Sequence, residues 1–128
     1  MRVLIVDDDG VRANMLAQNM GCADSTTFAR TPMSAIKYIR TRKYDCIFLD
    51  HDLGVPKLTG VDVAACMFKS TNMFTPVIVH SCNPVGAENI KNTVDAFGGR
   101  AHIVSLTDGD FVSKATACLE DADVGGWK

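Results

Sequence analysis

Three short apolar runs punctuate the chain: Val3–Val6, Cys46–Leu49 and Pro76–Val79. Each is continuous rather than alternating, so each needs burial on both faces. Strands inside a parallel sheet read this way. Two weaker segments, Ser25–Ala29 and Ala101–Leu106, carry β-branched residues and complete a set of five candidate strands. Helical spacing fills the gaps. Val11–Met20 predicts a short helix with Met15 and Leu16 turned inward and Gly21 closing it. Thr31-Pro32 is a hydroxyl cap followed by proline in the first turn, and Ala35, Ile36 and Ile39 follow on one face. Gly60–Thr71 predicts a third helix through Val61, Ala64, Ala65 and Phe68. Asn83-Pro84 opens a fourth, with Ala87, Ile90, Val94 and Phe97 inward and Gly98-Gly99 as the stop. Asp108–Asp121 predicts the last helix, capped by Asp108, and the tail Gly125-Gly126-Trp127-Lys128 is expected to fray. Strands alternating with helices imply right-handed crossovers and an α/β fold: a doubly wound parallel sheet with helices on both faces. No repeat or linker interrupts the order, so one domain over residues 1–122 and a short tail over 123–128 are expected.

Composition narrows the class. At 128 residues the chain has room for one domain, and 47% hydrophobic against 22% charged residues excludes a disordered chain. A net charge of -2 argues against nucleic acid as the partner. The cysteines, five in number, form no C-x-x-C pair. They read as small buried hydrophobes of a reducing cytoplasm rather than as disulfides or zinc ligands. The apolar run at the N-terminus is too short for a signal peptide or a membrane span, so a cytoplasmic protein without membrane contact is expected.

The chemistry lies at the ends of the apolar runs. Val6 is followed by Asp7-Asp8-Asp9, Leu49 by Asp50-His51-Asp52, and Val79 by His80-Ser81. Open α/β sheets bind ligands beyond the carboxyl ends of their strands. At about 4.8 Å per strand, neighbouring strands would gather these groups on one rim. Carboxylates so crowded raise one another's pKa or hold a cation, and an all-oxygen set suits Mg²⁺ or Mn²⁺. Other polar residues have plainer roles. Asp9 beside Gly10 reads as a cap, Asn83 as the cap of the fourth helix, His102 as structural, and Arg40, Arg42 and Lys43 as a solvated helix end. His51 and His80 are candidates for proton transfer.

These residues carry a resemblance. Asp7-Asp8 after the first strand, Asp50 at the end of the third, Gly60 beyond it, and Pro76–Val79 leading to Ser81 resemble the receiver domain of response regulators. The resemblance implies a flavodoxin-like sheet of order 2-1-3-4-5 with five helices. It implies Asp50 as phosphoacceptor, and Mg²⁺ held by Asp7 or Asp8 with Asp50 and the carbonyl of residue 52. Ser81 would contact the phosphoryl group, a histidine kinase or small phosphodonor would supply it, and the domain would act on a downstream protein as a monomer or weak homodimer. Receivers carry a lysine after the fifth strand; here the segment is Ile103–Asp108, and the nearest lysine is Lys114. Locally, Leu49-Asp50-His51-Asp52-Leu53-Gly54 and His80-Ser81-Cys82-Asn83-Pro84 are more similar to a divergent receiver-like group proposed to process cyclic phosphates. Two activities follow from these likenesses. One is a stand-alone signalling receiver phosphorylated on Asp50. The other is a metal-dependent phosphoesterase in which Asp7, Asp8, Asp50 and Asp52 hold metal and water while His51 or His80 moves a proton, with Asn83 at the pocket. An interaction module with an inert acidic pocket is the third expectation.

Overall fold

The computed structural model describes residues 1–124, so the expectation for the Gly125–Lys128 tail lies outside the described residues. Five parallel strands are ordered β2-β1-β3-β4-β5: β1 is Val3–Val6, β2 Thr26–Ala29, β3 Cys46–Leu49, β4 Val77–Val79 and β5 Ala101–Ile103. This is the flavodoxin-like order that the resemblance implies. The helices are α1 Gly10–Asn19, α2 Pro32–Thr41, α3 Gly60–Ala65, α4 Pro84–Ala96 and α5 Phe111–Asp121. Every residue of β1, β3 and β4 is buried, which accounts for their unbroken apolar runs. On one face Leu4, Val6, Ile47, Leu49, Val77 and Val79 pack against α2, α3 and α4. On the other, Val3, Ile5, Cys46, Phe48 and Ile78 pack against α1 and α5.

Caps set most helix starts as the sequence predicts. Asp9 accepts from the Arg12 amide, Thr31 from Ser34 and Asn83 from Gly86. Four details differ. Met15 is exposed, and Ala13, Leu16 and Ala17 form the buried stripe of α1 instead. The third helix stops at Ala65, and tighter turns carry residues 66–70, with Met67, Phe68 and Ser70 each bonded three residues back. The last helix begins at Phe111, because Asp108 accepts from the Asp110 amide in a turn and binds Lys114 rather than capping. The fifth strand is only three residues long, since Ser105 and Thr107 close a hydroxyl turn after it. Cys22 and Cys46 are buried as expected, and burial pushes the half-buried Cys66 thiol up to about 11, whereas Cys82 is exposed.

One polar residue ties the lower end of the sheet together. Asn72 is fully buried; its side chain accepts from the Tyr44 amide and donates to the carbonyls of Ile39 and Arg42. It therefore fastens the turns after α3 to the α2–β3 junction. No helix among the described residues is long and apolar enough to cross a membrane. Replacing Asn72 by alanine leaves three buried backbone groups unpaired, at about 1–3 kcal/mol for each such group. Urea unfolding of Asn72→Ala is expected to show a loss of at least about 2 kcal/mol; an unchanged midpoint would contradict this role.

Candidate functional site

The register of the sheet builds the site. Val6 lies beside Leu49, and Leu49 beside Val79. The next residue of each strand is Asp7, Asp50 and His80, and their amides stay in the ladder: Asp7 donates to Ala29, Asp50 to Val6 and His80 to Leu49. Backbone pairing, not loop conformation, therefore fixes all three. One side-chain ligand atom from each lies within 4.8 Å of the others, and all three residues are buried.

Asp7 is saturated. Oδ1 accepts from the Asp9 amide at 2.9 Å and from Arg12 Nη2 at 2.7 Å; Oδ2 accepts from Arg12 Nε at 2.8 Å and lies 3.0 Å from His80 Nε2. Both oxygens have thus spent their lone pairs. Burial by itself would raise this carboxyl, but the bonds from His80, Arg12 and the Asp9 amide outweigh it and hold Asp7 well below the usual carboxylate range. An ionised acceptor places the His80 proton on Nε2 and leaves the buried Nδ1 without a partner.

Asp50 is pushed the other way. Its residue is 5% exposed, and burial raises its carboxyl; the charge of Asp7 adds to the rise, while His80 and Arg12 oppose it. Oδ1 accepts from the His51 amide at 2.8 Å and Oδ2 from Arg12 Nη2 at 2.9 Å. Gly60 makes room here. A Cβ at that position would sit 2.2 Å from the Asp50 carbonyl, so only glycine lets α3 approach so closely.

Asp8, Arg12, Asp50, Asp52, Ser81, Cys82 and Asn83 line an open cleft of about 340 Å³ above this row. The Asp8 side chain is 40% exposed, and its nearest cation, Arg12 Nη2, stands 3.9 Å away. Asp52 faces solvent, with one oxygen 3.0 Å from His51 Nδ1 and the other accepting from Asn83 Nδ2 at 3.5 Å. Ser81 is buried, and its Oγ accepts from the Asn83 amide at 3.0 Å. The His51 ring is not on the cleft wall. It lies against the first turn of α4, where a Cβ at Gly86 would come within 2.3 Å of its Cγ. The structure thus gathers Asp7, Asp8, Asp50, Asp52, His80, Ser81 and Asn83 in or beneath one cleft, and sets His51 to the side.

Sequence reasoning passed over Arg12. A signal was present: Arg12 is the third residue of α1, where the helix dipole disfavours a cation, so an arginine there needs carboxylate partners. Among the described residues no lysine lines the cleft, and Lys114 is engaged with Asp108.

Comparison with known proteins gives the family and the fold. Residues 2–96 match the model of the cyclic-phosphate processing receiver domain. The chain belongs to that family. No curated protein matches the chain. Among solved structures it is similar to the receiver domain of the Francisella response regulator 1452, with 24% identity over 94% of each chain and a TM-score of 0.69. A CheY-like receiver from Methanospirillum hungatei gives 19% identity over 98% of each chain and a TM-score of 0.70. The receiver of the sensor histidine kinase PA1611 from Pseudomonas aeruginosa, solved with magnesium in its active site cleft, gives 16% identity over 94% of each chain and a TM-score of 0.72. At these identities the likenesses establish the receiver fold.

The opposed shifts of Asp7 and Asp50 have opposite consequences for stability. Asp7 is lowered on folding, so it stabilises above its unfolded pKa of about 4 and loses that contribution as pH falls below it. Asp50 is raised on folding, so its ionisation costs stability above the same unfolded value, and the cost fades as pH falls towards it. In chelator at pH 7, Asp7→Asn is expected to lose about 3 kcal/mol, as when one partner of a buried ion pair is removed. Asp50→Asn is expected to melt higher than the parent at pH 7, with the advantage shrinking towards pH 4. Equal effects of the two substitutions across this range would contradict the assignment.

Proposed function

We propose that the cleft hydrolyses the phosphate of a cyclic phosphate ester, as a metal-assisted phosphoesterase on a receiver fold. The observation that carries this reading is geometric: strand pairing fixes Asp7, Asp50 and His80 in one buried row at the floor of an open cleft lined by Asp8, Asp50 and Asp52. The family description supports the choice of substrate class.

A divalent cation fits these residues. The donors with room are oxygens: the half-exposed Asp8 carboxylate, Asp50 and Asp52. Gly54, at φ +74, leaves a hollow beside Asp8, where a Cβ would stand 3.1 Å from Oδ2. Asp8, Asp50 and Asp52 would hold Mg²⁺ or Mn²⁺, and Asp7 would hold Arg12 and His80 beneath it. Bound there, the ion supplies Lewis-acid charge to the phosphoryl oxygens. The protein's own groups do the rest. Water attacks phosphorus while Asp50 takes its proton; the bond from phosphorus to one ester oxygen breaks, and that oxygen takes the proton from Asp50. The product is a phosphomonoester. The Ser81 hydroxyl, whose oxygen already accepts from the Asn83 amide, has its proton free to donate to a phosphoryl oxygen. His80 and Arg12, both joined to Asp7, hold the floor of the cleft in place.

A second reading has its own support. Asp50 stands at the carboxyl end of β3, with Ser81 among the residues lining the same cleft, as in a receiver whose aspartate takes a phosphoryl group from a histidine kinase or small phosphodonor. Both readings are tested together. With Mn²⁺ or Mg²⁺, ³¹P NMR on 2′,3′- and 3′,5′-cyclic mononucleotides is expected to show a monoester product, slowed about 100-fold or more in Asp50→Asn. Acetyl phosphate is expected to leave the intact mass unchanged. No turnover, together with one phosphoryl group added to Asp50, would replace the hydrolase by the phosphoacceptor. Mn²⁺ is also expected to raise the melting temperature of the wild type and not of Asp50→Ala; no shift in the wild type would remove the metal from the account.

A further inference from the structure

Arg12 is the only cation lining the cleft among the described residues. Its side chain is 38% exposed, so it belongs to the wall and not to the core. Three features set it apart from an ordinary surface arginine. Nε and Nη2 form a two-bond fork on Asp7, a carboxylate that is itself completely buried. Nη2 also reaches Oδ2 of Asp50, itself a cleft-lining residue, at 2.9 Å. The α1 cap fixes its backbone, since the Arg12 amide donates to Asp9 at 3.1 Å. The guanidinium is therefore forked on Asp7 through Nε and Nη2, and the same Nη2 also bonds the residue to which the proposed chemistry is assigned.

The two attachments differ in strength. Asp7 offers a planar fork in a buried setting, whereas Asp50 offers one bond at the edge of an open cleft. A phosphoryl group entering the cleft offers guanidinium nitrogens several acceptor oxygens, whereas Asp50 offers Arg12 a single bond. A divalent ion on Asp8 and Asp50 would compete for the same Asp50 oxygen. The receiver resemblance puts a lysine after the fifth strand, and Ile103–Asp108 holds none. We propose that Arg12 is the phosphoryl-binding residue of the cleft, exchanging its bond to Asp50 for the phosphate while its fork on Asp7 keeps it in place. This rests on the cleft being a phosphate site, and it adds a specific cation delivered from α1 instead of from the end of β5.

The exchange has a double signature that a merely structural arginine would lack. Removing Arg12 takes a cation from the phosphate but also removes a competitor of the metal. Calorimetry of the full chain with Mn²⁺ alone, and with inorganic phosphate in the presence of Mg²⁺, reads both. Arg12→Gln is expected to weaken phosphate binding about tenfold or more and to tighten Mn²⁺ binding, the loss of one charge-assisted bond setting the scale. Arg12→Lys keeps the charge without the fork, and is expected to fall between the two and to show that a folded variant behaves the same way. Unchanged phosphate affinity in Arg12→Gln, or Mn²⁺ binding weakened alongside it, overturns the inference. A wild type that binds no phosphate overturns it as well. If phosphate binding responds as expected and no cyclic phosphate is hydrolysed, the hydrolase reading fails and the assignment of Arg12 stands.

Discussion

The site depends on the register of three parallel strands. Val6, Leu49 and Val79 lie side by side, and the chain places a polar residue immediately after each. Because the amides of Asp7, Asp50 and His80 remain in the sheet ladder, their separation follows from the spacing of a parallel sheet and owes nothing to loop order. A slip of one residue in β3 would turn its apolar set to the opposite face and carry Asp50 out of the row. Burial of β1, β3 and β4 on both faces opposes that slip, so the core and the cleft rest on the same pairing.

Bringing two carboxylates and an imidazole together in a buried row is unfavourable unless the charge is answered. Asp7 is answered fully, by Arg12, His80 and an amide, and its ionised state is part of the fold. Asp50 is answered partly, by one amide and one shared nitrogen. That inequality distinguishes the two carboxyls, and the proposed function rests on the difference. The inner carboxylate positions Arg12 and His80. The outer one lines the cleft and is the carboxyl that the proposed chemistry uses. Glycines 54, 60 and 86 leave the space for this arrangement: the first beside Asp8, the second against the Asp50 backbone, the third under the His51 ring.

Much of this was legible in the sequence. Unbroken apolar runs gave three interior strands, Asp9, Thr31 and Asn83 announced their helices, and the acidic residues after the runs pointed to a shared rim. Other features were hidden for physical reasons. The third helix ends at Ala65 because Met67, Phe68 and Ser70 adopt tighter turns, and apolar spacing does not distinguish those from a helix. Met15 follows an apolar period yet faces outward, since the stripe of α1 is set by Ala13, Leu16 and Ala17. Asn72 belongs to no motif, and its buried bonds to residues about 30 positions earlier in the chain are invisible to any local pattern. His51 reads as cleft chemistry by its neighbours in sequence, but the missing side chain of Gly86 draws its ring against α4. Arg12 was the most consequential omission, because a cation early in a helix was not set against the aspartates that precede it.

The central claim is that Asp7 keeps Arg12 while Asp50 releases it to a ligand, and diffraction from crystals grown with Mn²⁺ tests this most directly. Anomalous scattering is predicted to place the ion between Asp8 and Asp50, with the Arg12 fork still on Asp7 and Nη2 withdrawn from Asp50. An ion bound elsewhere, or Arg12 still bridging both aspartates beneath a bound ion, would contradict the account.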